Sequence, residues 1–211
     1  MATLFTSGFE TGDLSEWTTN FGGDLLVTAL AARTGSYGAR QTNTSGTRVQ
    51  LKDYAAAAAA RHYARFYFRI VGSPTTNTGI LFIQTGGSGA NTAVTLSCLT
   101  DNRIRANLNS GTFDSEPLNL NTWYRIEVFV DSTPSGANKI AECRINGVVL
   151  GRVENANFLS TAVGRLSMGV NTGSSGVELQ FDDVQVNAAD SGYPGGLNEP
   201  SSMNKDLLLL L

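Results

Sequence analysis

Apolar and polar residues alternate along several short segments of the chain, which is the pattern of β-strands with one buried face. The residues between these segments are rich in Gly, Ser, Thr and Asn, which favour turns and loops. Helical periodicity is nearly absent. The alternating segments are ARFYFRI (64–70), NRIRANL (102–108), WYRIEVFV (123–130), GRLSMGV (164–170) and VELQFDDVQV (177–186).

The segment ECRINGVVL, residues 142–150, contains the pair Asn-Gly, which favours a two-residue β-hairpin turn. Many short strands with regular turn signals predict an all-β protein, an antiparallel two-sheet jelly-roll β-sandwich. Residues 1–190 form this single predicted domain. From about residue 191 the pattern breaks, and residues 191–211 are interpreted as an extended Pro/Gly tail that ends in five Leu.

The composition and net charge argue against some classes of partner. The net charge is −3 and the isoelectric point is about 5.1, so no general basic field recruits nucleic acid or anionic lipid. No apolar run is long enough for a membrane-spanning helix, and no signal peptide is visible at the start. Cys98 and Cys143 lie inside predicted strands, as small buried apolar residues or as a disulfide pair.

Five segments, taken in order, resemble the concanavalin A-like lectin/glucanase (laminin-G-like) jelly-roll superfamily. They are SGFETGDLSEW (7–17), RTGSYGARQ (33–41), LNTWYRIEVFVD (120–131), CRINGVVLGR (143–152) and FDDVQVN (181–187). The resemblance implies two antiparallel sheets in which the first and last strands are neighbours. The family includes lectins, carbohydrate-binding modules, glycosidases, polysaccharide lyases and adhesion domains, so the fold does not settle the function.

The implied neighbourhood of the two ends of the domain would place Glu10 near Asp182 and Asp183. Carboxylates that lie together repel one another unless a cation neutralises them, and Ca²⁺ prefers oxygen ligands. Related jelly rolls carry a structural calcium between a Phe-Glu pair near the start and an Asp-Asp pair near the end, so the resemblance implies a structural Ca²⁺ here. The alternative is that Glu10 caps a turn and Asp183 accepts backbone amides at a bulge.

Enzymatic chemistry finds little support in the sequence. Glycosidases need a carboxylate pair at a defined separation, and Glu127 with Asp131 is a poor match to the family's arrangement. Lyases of this fold use Tyr or His, but the single histidine, His62, has the parity of the core residues Phe66 and Phe68. The lyase motif Gln-x-His has only FIQTGG (82–87) as a counterpart, without the His. We therefore expect a protein that is not an enzyme.

The polar positions of the strands predict a glycan-binding face, provided that the strands adjoin in one sheet. Arginine suits charge-assisted hydrogen bonds to glycans, and an aromatic ring can stack on a sugar. The alternative is a solvated face of ion pairs. The candidate residues are Arg65, Tyr67, Arg69, Arg103, Arg105, Trp123 and Arg125.

The sequence favours a structural function: a virion (phage) surface, decoration or tail-appendage protein, located on a virion or outside the cell. Its partners would be other subunits, of itself or of a capsid or tail, with weak glycan binding in addition. The alternative function is a carbohydrate-binding module, or a domain related to polysaccharide lyases and glycosidases.

The apolar tip of the tail is the predicted partner-binding segment. An apolar end that follows a polar linker is expected to be buried, and a groove on a partner subunit would bury it. The rival interpretation is that the tail covers its own sheet. The predicted partner-binding residues are Leu207, Leu208, Leu209, Leu210 and Leu211.

Overall fold

The computed structural model describes residues 2–21, 25–44, 48–54, 59–84, 92–134, 138–157, 163–170 and 174–188. These residues form β-strands and one short 3₁₀ helix, Ala29–Ala31. The strands are β1 Ala2–Ser7, β2 Thr19–Phe21, β3 Leu26–Thr28, β4 Gly38–Thr44, β5 Arg48–Asp53, β6 Arg61–Gly72, β7 Thr78–Gln84, β8 Thr92–Cys98, β9 Ile104–Asn107, β10 Thr112–Asp114, β11 Trp123–Asp131, β12 Lys139–Ile145, β13 Val148–Ala156, β14 Arg165–Val170 and β15 Ser174–Ala188.

The strands build two antiparallel sheets, which confirms the predicted β-sandwich. An eight-stranded sheet has the order β13-β12-β11-β6-β15-β4-β3, and β1 also pairs with β15. A seven-stranded sheet has the order β10-β9-β8-β7-β14-β5-β2. The first and last strands are neighbours, since Thr3 pairs with Asn187 and Ser7 pairs with Val184.

The core lies between the two sheets and follows the alternation of the sequence. On β6, Phe66, Phe68 and Ile70 are fully buried. The seven-stranded sheet contributes Leu96 and Met168, which are also fully buried. On these strands, residues that face the core therefore alternate with residues on the outward face of the sheet.

His62 lies in the core, as its parity predicted. It is completely buried, and its Nε2 hydrogen-bonds the hydroxyl of Tyr54. Burial lowers the pKa of His62 to about 3, so the ring is neutral at ordinary pH. Cys98 and Cys143 are both free and buried, and burial raises the pKa of each thiol to about 12.

No helix among the described residues has the length and apolar character needed to cross a membrane.

The predicted tail, residues 191–211, lies outside the described residues. Its docking to a partner subunit therefore stays a prediction. The same holds for each of the predicted partner-binding residues, Leu207, Leu208, Leu209, Leu210 and Leu211.

Candidate functional site

Five of the seven residues of the predicted glycan-binding face share the outward face of the eight-stranded sheet. Tyr67 pairs with Arg125 across β6 and β11, Arg69 pairs with Trp123, and Arg65 lies two residues away on β6. We call this surface the Arg65–Arg125 face, which comprises Arg65, Tyr67, Arg69, Trp123 and Arg125.

Arg103 and Arg105 do not join that face, so the seven residues do not form one surface. Arg105 belongs to β9 and Arg103 immediately precedes this strand. Strand β9 pairs with β8 and β10 in the seven-stranded sheet, on the other side of the sandwich from β6 and β11. The sequence did not indicate this separation because strand order depends on long-range pairing.

Guanidinium groups cover the aromatic rings of the Arg65–Arg125 face. The Cζ atom of Arg33 lies 3.3 Å from the centroid of the Tyr67 ring, and Tyr67 is buried. Arg69 lies over Trp123 at 4.7 Å. Such cation–π contacts occupy the ring surface on which a sugar would stack.

The arginines of this face also have protein partners. Arg125 is paired with Glu127, with 3.4 Å between Nε and Oε2. Arg69 donates to the side-chain oxygen of Gln180 through Nε at 2.8 Å. Arg65 donates to Gln185 at 3.3 Å. These contacts favour the alternative interpretation, a network of charged and polar side chains that stabilises the sheet.

The outward face of the seven-stranded sheet has a different character. Residues that pair across neighbouring strands form rows on this face. The middle row consists of Ser167 on β14, Phe82 on β7, Thr95 on β8 and Asn107 on β9, each of which pairs with the next. Phe82 is partly exposed between two small residues, whereas Leu51, beside Ser167, is 4% exposed. The centre of this sheet therefore presents a partly exposed aromatic side chain among polar neighbours.

Rows with charged residues lie on either side of Phe82. One row contains Asp53, Arg165 and Gln84, with an Arg165 to Asp53 hydrogen bond of 2.8 Å. The other contains Ser97, Arg105 and Asp114. We call the whole surface the Phe82 face, which comprises Asp53, Phe82, Gln84, Thr95, Ser97, Arg105, Asn107, Asp114, Arg165 and Ser167.

Gln84 is held in one orientation on the Phe82 face. Its Nε2 donates to the hydroxyl of Thr92 at 3.2 Å, and its Oε1 accepts from the hydroxyl of Ser167 at 3.2 Å. Arg165 is its neighbour on β14. A fixed amide next to a guanidinium is a preorganised set of hydrogen-bonding groups for a polar ligand.

The sequence did not reveal Phe82 because its segment, GILFIQ (79–84), is apolar up to its last residue. The register of β7 with β8 shifts between Gly79 and Leu81, so that Ile80 and Leu81 are both fully buried. This bulge turns Phe82 outward. The only signal in the sequence was the Gln two residues later, which has the same parity as Phe82.

Glu10 and Asp182 bind the same loop, residues 33–37. Glu10 accepts hydrogen bonds from the backbone N–H of Ser36 at 2.9 Å and of Tyr37 at 3.3 Å. Asp182 accepts from the N–H of Arg33 at 2.7 Å. Asp182 is fully buried, and burial raises the pKa of its carboxyl to about 6. The loop thus joins the opening segment to the last strand.

The third predicted metal ligand, Asp183, turns away from this arrangement. It forms an ion pair of 2.6 Å with Arg33 and accepts from the hydroxyl of Thr34. Within the described ranges, no group of three or more His, Cys, Asp or Glu side chains is placed to hold a metal. Glu10 and Asp182 supply carboxylate oxygens, the donor type that Ca²⁺ prefers, and Ca²⁺ here stays a prediction.

Comparison with known proteins supports the fold but no family. No protein-family model matches the sequence, and no curated protein matches it. Among solved structures, the chain is similar to an endo-β-1,4-glucuronan lyase from the fungus Trichoderma reesei, with a TM-score of 0.65, 14% identity, and coverage of 89% of this chain and 96% of the lyase. It is also similar to the cellulose induced protein Cip1, with a TM-score of 0.63, 15% identity, and coverage of 88% and 97%.

A third similar structure is the alginate lyase Aly36B, with a TM-score of 0.53, 12% identity, and coverage of 73% of this chain and 82% of the lyase. At these identities the similarity shows the fold alone.

The comparisons correct two expectations from the sequence. The expected virion structural role is wrong, because the similar solved structures include a glucuronan lyase, an alginate lyase and a cellulose induced protein. The deduction from the sequence that the chain is not an enzyme is also wrong, because two of these structures, which have the same fold, are polysaccharide lyases. That deduction relied on motifs of particular branches of a fold that supports many chemistries.

Proposed function

We propose that this protein is a carbohydrate-active domain that binds a linear polysaccharide across the Phe82 face. The observation that supports the proposal most directly is the partly exposed ring of Phe82, which lies outward between Ser167 and Thr95 at the centre of a sheet. An apolar ring at the centre of a polar surface is a stacking platform for the apolar face of a sugar.

The surroundings of Phe82 support the same function. Asn107 and Gln84 provide amide groups, and Ser97 provides a hydroxyl, all on the outward side of adjacent strands. Sugar-binding sites combine an apolar platform with a few placed polar groups that fix orientation. The three similar structures, two of them polysaccharide lyases, make glycan the ligand class of first choice.

Cleavage of the bound chain is the second candidate function, and the arrangement of Gln84 beside Arg165 favours it. In β-elimination, a base removes the C5 proton of a uronate, the C4–O bond breaks, a C4=C5 double bond forms, and the leaving oxygen takes up a proton. Neutralisation of the uronate carboxylate assists this step. In this candidate, Arg165 would turn from Asp53 to the uronate carboxylate and neutralise it, and Gln84 would hydrogen-bond that carboxylate. Asp53, released from the ion pair, would be the base.

Binding is tested by affinity electrophoresis of the full chain in gels that contain different polysaccharides. We expect Phe82→Ala to weaken binding about tenfold or more, since it removes the platform. Trp123→Ala is the matched control, an aromatic truncation on the opposite sheet, and should bind as the original chain does. If Trp123→Ala abolishes binding and Phe82→Ala does not, the site belongs to the Arg65–Arg125 face instead.

Cleavage is tested by following the absorbance of the new double bond during incubation with glucuronan and alginate. Elimination at the Phe82 face predicts that Asp53→Asn and Gln84→Ala both lower the rate, whereas Trp123→Ala does not. Product formation that is unchanged in Asp53→Asn and Gln84→Ala would exclude this arrangement as the catalytic one.

A further inference from the structure

The charged residues at both ends of the Phe82 face occur as arginine–aspartate pairs. Arg105 donates to both carboxylate oxygens of Asp114, through Nε and Nη2, at 2.7 Å each. Arg165 donates to Asp53 at 2.8 Å. Each pair carries no net charge, so a ligand approaching this face meets donors and acceptors rather than a positive field.

The Arg105–Asp114 pair is accessible to a ligand. The side chains are 43% and 29% exposed, and the pair uses two of the three guanidinium nitrogens. The hydrogen bond with Arg105 lowers the pKa of Asp114, and the same bond raises the pKa of Arg105. Both groups therefore stay ionised at neutral pH, and the carboxylate has lone pairs left for further donors.

Such a pair matches a sugar hydroxyl better than it matches a carboxylate. A hydroxyl both donates and accepts, so it can bond the aspartate and the arginine together. A uronate carboxylate only accepts, and it would approach Asp114 or Asp53 with like charge.

From these contacts we infer that the Phe82 face binds a neutral polysaccharide, whose hydroxyl groups bond the Arg105–Asp114 and Arg165–Asp53 pairs. This inference deepens the proposed function and rests on it. It separates this chain from the glucuronan lyase and the alginate lyase that share its fold, since those names denote uronate polymers.

The positions of the two pairs set the path of the ligand. Arg165 and Arg105 lie three strands apart, on β14 and β9, and in rows on opposite sides of Phe82. With about 4.8 Å between strands and about 3.3 Å per residue along them, the two arginines are roughly 20 Å apart. The ligand is therefore a chain of several sugars that crosses the sheet diagonally, with Phe82 near its middle.

The experiment compares binding of the full chain to neutral polymers, xylan and a mixed-linkage β-glucan, with binding to glucuronan and alginate, at low and high salt. We expect tighter binding to a neutral polymer and no salt dependence, because no net charge is neutralised on binding. Asp114→Asn should weaken neutral binding about tenfold, since it removes a charged acceptor, and should strengthen uronan binding in a salt-sensitive way.

Glu154→Gln is the matched control. Glu154 is an exposed carboxylate paired with an arginine, Arg152, but it lies on β13 in the other sheet. Its removal changes the net charge by the same amount and should leave both affinities unchanged. Equal effects of Asp114→Asn and Glu154→Gln would overturn the inference, because they would show a general charge effect.

The outcomes separate the inference from the function on which it rests. Tight, salt-sensitive binding of the original chain to a uronan, lost in Phe82→Ala, would overturn the inference and keep the proposed function. Binding that Phe82→Ala leaves unchanged, or no binding to any of the four polymers, would reject the proposed function itself. Thermal melting of each variant shows whether a loss reflects unfolding.

Discussion

At the scale of single residues, His62 shows how strongly the interior controls protonation. Its ring is completely buried and bonded to the hydroxyl of Tyr54, so the charged form lacks water and lacks an anionic partner in this contact. Burial lowers its pKa to about 3, against about 6.5 in an unfolded chain. As the pH falls, His62 is therefore protonated in the unfolded state before it is protonated in the folded state, and this favours unfolding.

The His62 prediction concerns stability against pH. Because the folded pKa lies below the unfolded one, the contribution of His62 is fully present above pH ~6.5 and is lost as the pH falls toward ~3. The loss is at most about 1.4 kcal/mol of unfolding free energy per pH unit. His62→Gln, which keeps a polar partner for Tyr54, should flatten urea-unfolding stability between pH 7 and pH 4. An unchanged slope in the variant would assign acid sensitivity to the carboxylates alone.

A second prediction at the scale of single residues concerns Glu10 and calcium. The residue lies against the 33–37 loop so closely that a Cβ at Gly35 would lie 2.3 Å from its Oε1. If Ca²⁺ binds Glu10 and Asp182, a chelator should lower the melting temperature of a metal-replete sample, and Glu10→Gln should remove that difference. Chelation that leaves the melting temperature of a metal-replete sample unchanged would contradict the calcium prediction.

At the scale of elements, the β12–β13 hairpin depends on one side chain. Asn146 has φ of 51° and Gly147 has φ of 82°, which the Asn-Gly turn requires. The side-chain oxygen of Asn146 also accepts the backbone N–H of Arg125 at 2.8 Å. The turn is thereby attached to the start of β11, the neighbouring strand.

Substitutions at Asn146 separate these two contributions. Asn146→Ala should lower the unfolding free energy by about 2 kcal/mol, from about 1 for positive φ and about 1 for the lost hydrogen bond. Asn146→Gly keeps the backbone conformation accessible and should lose about half of that amount. Denaturant unfolding measures both variants, and equal losses would show that the positive φ carries no cost at this position.

At the scale of the whole molecule, the untested prediction concerns the tail, residues 191–211, which lie outside the described residues. The tip Leu207–Leu211 follows a polar stretch with Pro and Gly, and burial of each Leu would contribute roughly 1.5–3 kcal/mol before ordering costs. We expect the tip to bind a second subunit. Removal of residues 203–211 should lower the mass measured by light scattering and leave the melting of the domain unchanged.

The opposite pattern would contradict self-association through the tail. A truncated chain that keeps its mass but melts at a markedly lower temperature would show that the tail covers its own domain. Gly195→Ala, a small change in the linker, serves as a control that keeps the five Leu.

The sequence by itself determined which residues face the core on the strands that alternate regularly. The parity of Phe66, Phe68 and His62 was readable because alternation along one strand is a local property of the backbone. The hairpin at Asn146 was equally local, since the two-residue turn follows from backbone preferences. The buried side of such a strand can therefore be predicted without knowledge of the strands that pair with it.

Only the tertiary structure decided which outward residues meet. Strand order placed Arg105 on the opposite sheet from Arg65, and a bulge in β7 turned Phe82 outward from an apolar segment. The carboxylates of Glu10 and Asp182 met backbone amides of a loop far away in sequence. Pairing between distant strands is set by the packing of the whole core, so a surface built from six strands has no signature in any one of them.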